Sequence, residues 1–371
     1  MELSSEDALR LNVLLSNNPR AIRIDESRLV VYGLTETGEA KIQLNPTGKD
    51  EQYLKKVREV LSSHVTGSPG GYPVYLRRWT RMGQIRDDNL DRLLLLGEPE
   101  AVVAVACAKG LTDELARRAW WALPEPDNAR RMLANPAVVA GEMGKELAAF
   151  LIDYLPFETE PETMIETLSL VLQPGLLDEE KRADLWRRAA RKPAFYVGFL
   201  NAVPDDLPEG APRTDAGRIQ ASMETLAEAD NPWARHAIKI SSASGQAFLQ
   251  TVQRALKKPA NQEVVTSTLD AVARYFAPLR PEGRPDLTIE ALIEEAEREC
   301  ADEGKRDLHA CLLADGSLRP LMMAMHVLSG VGYGVVRPVF RTTDAIGSLM
   351  RRKLEPVMTP LHAQLEILRR G

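Results

Sequence analysis

"LDRLLLLGEPEAVVAVACAKGLTDELARRAWWALPEPDNARRMLANP", Leu90 to Pro136, sets short apolar runs between breaks at Gly-Glu-Pro, Gly-Leu-Thr-Asp and Pro-Glu-Pro-Asp. Within the runs the spacing is helical. Leu115, Ala119 and Leu123 predict a buried stripe, and Thr112 predicts an N-cap ahead of Asp113 and Glu114. Downstream the pattern repeats. "TEPETMIETLSLVL" (159–172) offers Thr159 and Glu162 in capping-box spacing, with Ile165, Leu168 and Leu172 as the apolar stripe. "DEEKRADLWRRAARKP" (178–193) puts acids first and bases last, as the helix dipole favours, and Pro193 ends it. "TIEALIEEAEREC" (288–300) turns Ile289, Leu292, Ile293, Ala296 and Cys300 inward, leaving Glu290, Glu294, Glu295 and Glu297 for water. Helices of this length joined by Pro- and Gly-containing turns predict an irregular HEAT-like helical array, an α-solenoid or an α-bundle.

The first sixty-odd residues differ. "SSEDALRLNVLLSNN" (4–18) predicts a helix with Ser5 as N-cap, stopped at Asn18-Pro19. The runs "AIRID", "RLVVYG" and "AKIQL" predict three strands, with Gly38 in the turn between the second and third. "DEQYLKKVREVLSSH" (50–64) returns to helix through Leu54, Val57 and Leu61. The expected fold is therefore mainly α, with a small N-terminal α-β-β-β-α domain followed by the array. At 371 residues the chain exceeds the roughly 250–300 at which a single core stops growing. The expected domains are 1–66, a linker and docking segment over 67–89, a HEAT-like domain over 90–206, and a C-terminal helical domain over 207–371. The proline-rich "AVPDDLPEGAPRTDAG" (202–217) reads as a hinge, or a long loop over one.

Hydrophobic content of 44% and charged content of 27% are those of a globular protein. The net charge of −6 supplies no global field for nucleic acid or anionic lipid. Three cysteines, Cys107, Cys300 and Cys311, imply no disulfide framework, and with an acidic N-terminal stretch they lead us to expect a cytoplasmic protein. The most apolar segment, Pro320 to Val336, is shorter than a membrane span and carries His326, so a buried helix is expected.

The motifs of bond-making chemistry are sparse. "GSPGGYP" (67–73) lacks the lysine of a P-loop, and "SGVGYG" (329–334) follows helix rather than strand. Cys300, His309 and Cys311 lack the paired ligands of a structural zinc site. His236 precedes "SSASG" (241–245), which is not a nucleophile elbow. We expect no enzyme, cofactor or metal. What stands out is "GSPGGYPVYLRRWTRMGQ" (67–84), where Tyr72, Tyr75, Arg77, Arg78, Trp79 and Arg81 suit docking of a protein partner. Nucleic acid is the less favoured occupant, given Asp87, Asp88 and Asp91 just after it. A second basic surface could come from Arg337, Arg341, Arg351, Arg352 and Lys353.

"SPGGYPVYLRRWTRMGQ" (68–84), "LLLLGEPEAVVAVACAKGLTDELARRAWWALP" (93–124) and "ARRML" (129–133) resemble the DsrS family. These are soluble accessory proteins encoded with the dissimilatory sulfite reductase cluster of sulfur-oxidising bacteria. The resemblance starts at "LNVLL" (11–15) and "AIRIDES" (21–27) and reaches Leu133. It implies a cytoplasmic accessory or regulatory protein of sulfur oxidation, and it transfers a role to no residue. RNA binding, and sulfur handling through one exposed cysteine, are the alternative readings.

Overall fold

A computed structural model describes residues 3–73 and 90–369. The protein is mainly α-helical, 67% of it, with one three-stranded antiparallel sheet near the N-terminus. It divides into two compact units, Met1–Pro156 and Phe157–Gly371. That division falls at neither 66 nor 206, because the segments on each side of those positions share cores.

In the first unit α1 (Ser5–Ser16) is capped by Ser4, one residue earlier than expected, whose side chain accepts from the Asp7 N–H. The strands β1 (Ala21–Asp25), β2 (Val30–Thr35) and β3 (Gly38–Gln43) form a meander in the order β1-β2-β3. Its inner face packs Ile22, Val31 and Ile42 against Leu11 and Leu14 of α1 and against Tyr53, Val57 and Leu61 of α2 (Asp50–Thr66). Gly33 lies where α1 crosses the sheet, and a Cβ there would stand 2.5 Å from Leu14 Cδ1, so the leucine side chain would have to shift. Asp7 is fully buried; its Oδ2 accepts from the Tyr53 hydroxyl at 2.5 Å and the Asn45 amide at 2.8 Å.

This α/β module does not close by itself. The Ile22 amide donates to the Leu94 carbonyl at 2.8 Å, beside α3 (Leu90–Leu93), and Gly97 packs on Ile24 and Leu61. On the outer sheet face the Arg23 guanidinium lies 4.7 Å from the Tyr32 ring and 4.9 Å from that of Trp121. Trp121 belongs to α5 (Asp113–Ala122), which follows α4 (Pro99–Ala106) and packs against β1. Thr112 caps α5 as expected. The stripe that α5 buries is Ala116, Ala119 and Ala122, not Leu115 and Leu123. Small residues permit a close approach there, and the larger side chains cover its flanks. α6 (Pro126–Leu133), α7 (Pro136–Val139) and α8 (Glu142–Tyr154) complete the unit.

The second unit opens with α9 (Pro161–Val171), α10 (Glu179–Ala189) and α11 (Pro193–Ala202). No capping box forms at Thr159: Pro161 takes the first helical position and Glu160 the cap, without a side-chain bond. Next come α12 (Ala216–Glu228), α13 (Pro232–Ser241), α14 (Ala243–Lys257) and α15 (Gln262–Phe276). α15 touches α9, α11 and α14, and from the far side α18 (Arg319–Gly330) and α19 (Tyr333–Phe340). It is central, and accordingly apolar on most of its circumference. The segment 202–217 does not separate domains. Arg213 Nη1 donates to the carbonyls of Ile367 and Leu368 at 2.8 Å each, and Arg254 pairs with Glu209 at 2.7 Å. α16 (Ile289–Glu299) and α17 (Arg306–Ala314) precede α18, and the 23-residue α20 (Gly347–Arg369) ends the described chain. On α16, Glu295 is not a solvent residue: only 18% of its side chain is exposed, and it pairs with buried Arg280. Among the described residues no helix is long and apolar enough to cross a membrane.

Candidate functional site

Of the six residues expected to anchor a partner, Tyr72 is half-buried, and its amide donates to Glu98 Oε2 at 3.0 Å. Burial raises its phenol pKa, and the charge of Cys107 adds to that. Tyr75, Arg77, Arg78, Trp79 and Arg81 lie outside the described residues. The second basic surface is only partly assembled. Arg337 is drawn away into an ion pair with Asp286, whereas Arg351 and Arg352 meet at one cleft.

That cleft forms where the start of α20 lies against the end of α14. Three hydrogen bonds join residues 259–262, after α14, to residues 343–351. The Gly347 amide donates to the Ala260 carbonyl at 3.0 Å, Arg351 Nη1 to Pro259 at 3.2 Å, and Gln262 Nε2 to Thr343 at 2.9 Å. The cleft measures about 380 Å³, and Lys257, Arg351, Arg352, Glu355, Thr359 and His362 supply its polar lining, three cations to one carboxylate. Lys353 stands beside it, its ammonium on the Thr343 hydroxyl at 2.8 Å. Among the described residues none of these four cations pairs with a carboxylate, although most arginines of the second unit do. Burial lowers the pKa of His362, against the opposing charge of Glu366, so the imidazole at the cleft is neutral at pH 7.

Apolar side chains adjoin these charges. Ile346 is 70% exposed and Leu349 45%. Leu349 precedes Arg352 and Lys353 by three and four positions, which places all three on one helical face. Pro356 and Pro360 lie within α20, and each removes an amide that would have bonded the carbonyl four residues back. The cleft is net basic, and Ile346 and Leu349 are exposed in the adjoining stretch of chain. Such a surface offers cations to carboxylates, and methyl groups that gain by leaving water.

Cysteine placement is equally specific. Cys300 and Cys311 are buried, and burial pushes their thiols up to about 11 and about 12. The Cys311 thiol donates to Asn231 Oδ1 at 3.6 Å, and among the described residues no group of three or more His, Cys, Asp or Glu could hold a metal ion. Cys107 is exposed, in a cleft of about 270 Å³ that Lys109 and Arg131 also line. His236 and His326 are both buried, the first against Tyr275 and Phe276, the second among charged groups.

No protein-family model, curated protein or solved structure matches the chain.

Proposed function

We propose that this protein is a non-enzymatic accessory component of cytoplasmic sulfur oxidation that works by binding a protein partner. The resemblance of Leu11–Leu133 to the DsrS family supports the cellular setting. One structural observation supports the mode of action: Ile346 and Leu349 are exposed beside four cations that have no carboxylate partner among the described residues. A partner segment carrying acids next to apolar side chains matches that surface in charge and in hydrophobicity. The same cations could meet phosphates, but among the described residues no Tyr, Trp or Phe lines this cleft for bases to stack on.

Affinity capture from native extract, with and without nuclease, tests the reading. Ile346→Asp with Leu349→Asp should abolish recovery of the partner, and Arg352→Glu with Lys353→Glu should reduce it at least tenfold, with helical content unchanged. The same proteins recovered by every variant would refute the surface, and nuclease-sensitive recovery would favour RNA instead.

Sulfur handling through a thiol is a second reading, which the exposure of Cys107 beside Lys109 and Arg131 favours. Native-state alkylation should modify Cys107 alone, and urea should be needed to expose the other two cysteines.

A further inference from the structure

The basic cleft of the second unit has a direction as well as a charge. Arg351, Glu355, Met358 and His362 line it from α20 at intervals of four, three and four residues, which sets them along one ridge of that helix. From Arg351 to His362 the ridge runs about 16 Å, at a rise of 1.5 Å per residue. Leu256 and Lys257, in the last turn of α14, and Pro259 line the cleft from the other helix. Leu256, Pro259 and Leu354 are buried and Met358 is half-buried, so the floor is apolar.

Cations stand on both edges of this floor. Lys257 is exposed on the α14 side and Arg352 on the α20 side, with Lys353 next to it. Among the described residues Glu355 is the one carboxylate that lines the cleft, and it pairs with none of them. Glu366, one turn beyond His362, is engaged by Gln253 Nε2 at 2.6 Å. Four cations therefore stand against one acid, and an acidic occupant remains the better match.

The modes by which proteins bind peptides need different equipment. Strand addition needs a sheet edge, and the one sheet among the described residues belongs to the first unit. Docking of a polyproline segment needs an aromatic-lined groove, and among the described residues no Tyr, Trp or Phe lines this one. Arginine clusters that read a phosphate converge on one point, whereas these cations are spread over two edges and Arg351 is turned to the Pro259 carbonyl. An apolar floor between two helices, with charge along both sides, is what a docked helix requires. An extended segment puts successive side chains on opposite faces, so acids next to apolar residues would point away from the cleft. A helix puts them side by side.

Resting on the reading that a partner's acids and apolar side chains meet this surface, we propose that the docked segment is an amphipathic helix of about three turns. Its apolar stripe lies on Leu256, Pro259, Leu354 and Met358. Acids flank the stripe on both sides, towards Lys257 on one and towards Arg352 and Lys353 on the other, as charges flank the seam of a coiled coil. Leu349, three residues before Arg352 and 45% exposed, extends the footprint beyond the cleft.

Fluorescence anisotropy with the full-length protein and labelled peptides of about 18 residues tests the assignment. The probe carries Leu at heptad positions a and d and Glu at e and g, on a background of Ala and Gln. One control has the same residues reordered so that apolar and acidic positions alternate, a second has Lys for Glu, and a third has a central Ala replaced by Pro. The probe should bind saturably, at least tenfold tighter than each control. Ile346→Asp with Leu349→Asp, and Lys257→Glu with Arg352→Glu, should each weaken it tenfold or more, while Lys41→Gln on β3 should change nothing. All four altered side chains are exposed, and a thermal melt will verify that the variants fold. Equal affinity for the alternating peptide, with both peptides lost in Ile346→Asp plus Leu349→Asp, would overturn the helix and leave the docking surface standing. Wild-type affinity in both double variants would remove the surface as well. No saturable binding of the probe, or a preference for the Lys peptide, would overturn the assignment outright.

Discussion

His236 shows how a single buried group sets the response of the protein to acid. Its ring lies 5.4 Å from that of Tyr275 and 4.7 Å from that of Phe276, and Nε2 has no hydrogen-bond partner. Burial, aided by the charge of Lys239, lowers its pKa from 6.5 to about 3. The folded state thus holds the ring neutral, while the unfolded chain takes up a proton below about pH 6.5. Stability should be complete above that pH and should fall as pH drops towards the folded value, by about 1.4 kcal/mol per pH unit for this group alone. His236→Leu removes the titration. Whatever its stability at pH 7, the loss between pH 7 and pH 5 should be about 2 kcal/mol smaller than in the wild type; urea unfolding at both pH values gives the comparison, and equal losses would refute the account. The buried location of this residue was not legible in "WARHAIKIS" (233–241), because one histidine among apolar neighbours fits a surface as well as a core.

At the scale of elements, caps and turns follow from local chemistry, and closeness of approach does not. Thr112, Asp178 and Asn261 cap the helices they precede, each accepting the backbone N–H three residues on, as oxygen-bearing side chains at such positions do. The helix-to-helix corner at Ser242 is different. Gly245 begins α14 so near the end of α13 that a Cβ would stand 2.3 Å from the Lys239 carbonyl and 2.5 Å from the Ile240 Cα. Those are backbone atoms and cannot rotate away. Gly245→Ala, which raises helix propensity, should nevertheless destabilise the protein by about 2 kcal/mol through overpacking, measurable as a lowered urea midpoint. Glu295 and Glu299 teach the same lesson from the charged side. They border the Leu292–Ala296–Cys300 stripe, and only the position of Arg280 and His326 decided that they turn inward.

For the whole molecule, the division at Pro156 has a consequence for fragments. Residues 1–66 leave Ile22, Ile24 and Leu61 without Leu94 and Gly97, and Arg23 without Trp121. A 1–66 fragment should therefore lack a cooperative thermal transition, whereas 1–156 and 157–371 should each unfold cooperatively, as circular dichroism will report. A sharp transition in 1–66 would restore the small α/β module as an independent domain.

The sequence by itself determined the fold class, the order of the N-terminal elements, several helix caps and the burial of most of the Pro320–Val336 segment. All of these depend on periodicity and on residues adjacent in the chain. Tertiary structure alone decided which charges would be left unpaired, which cysteine would reach solvent, and which glutamates would meet Arg280 and His326. Those outcomes turn on groups tens of residues apart, such as Lys257 with Arg352 or Glu299 with His326, and no local pattern records which distant side chain arrives to neutralise a charge.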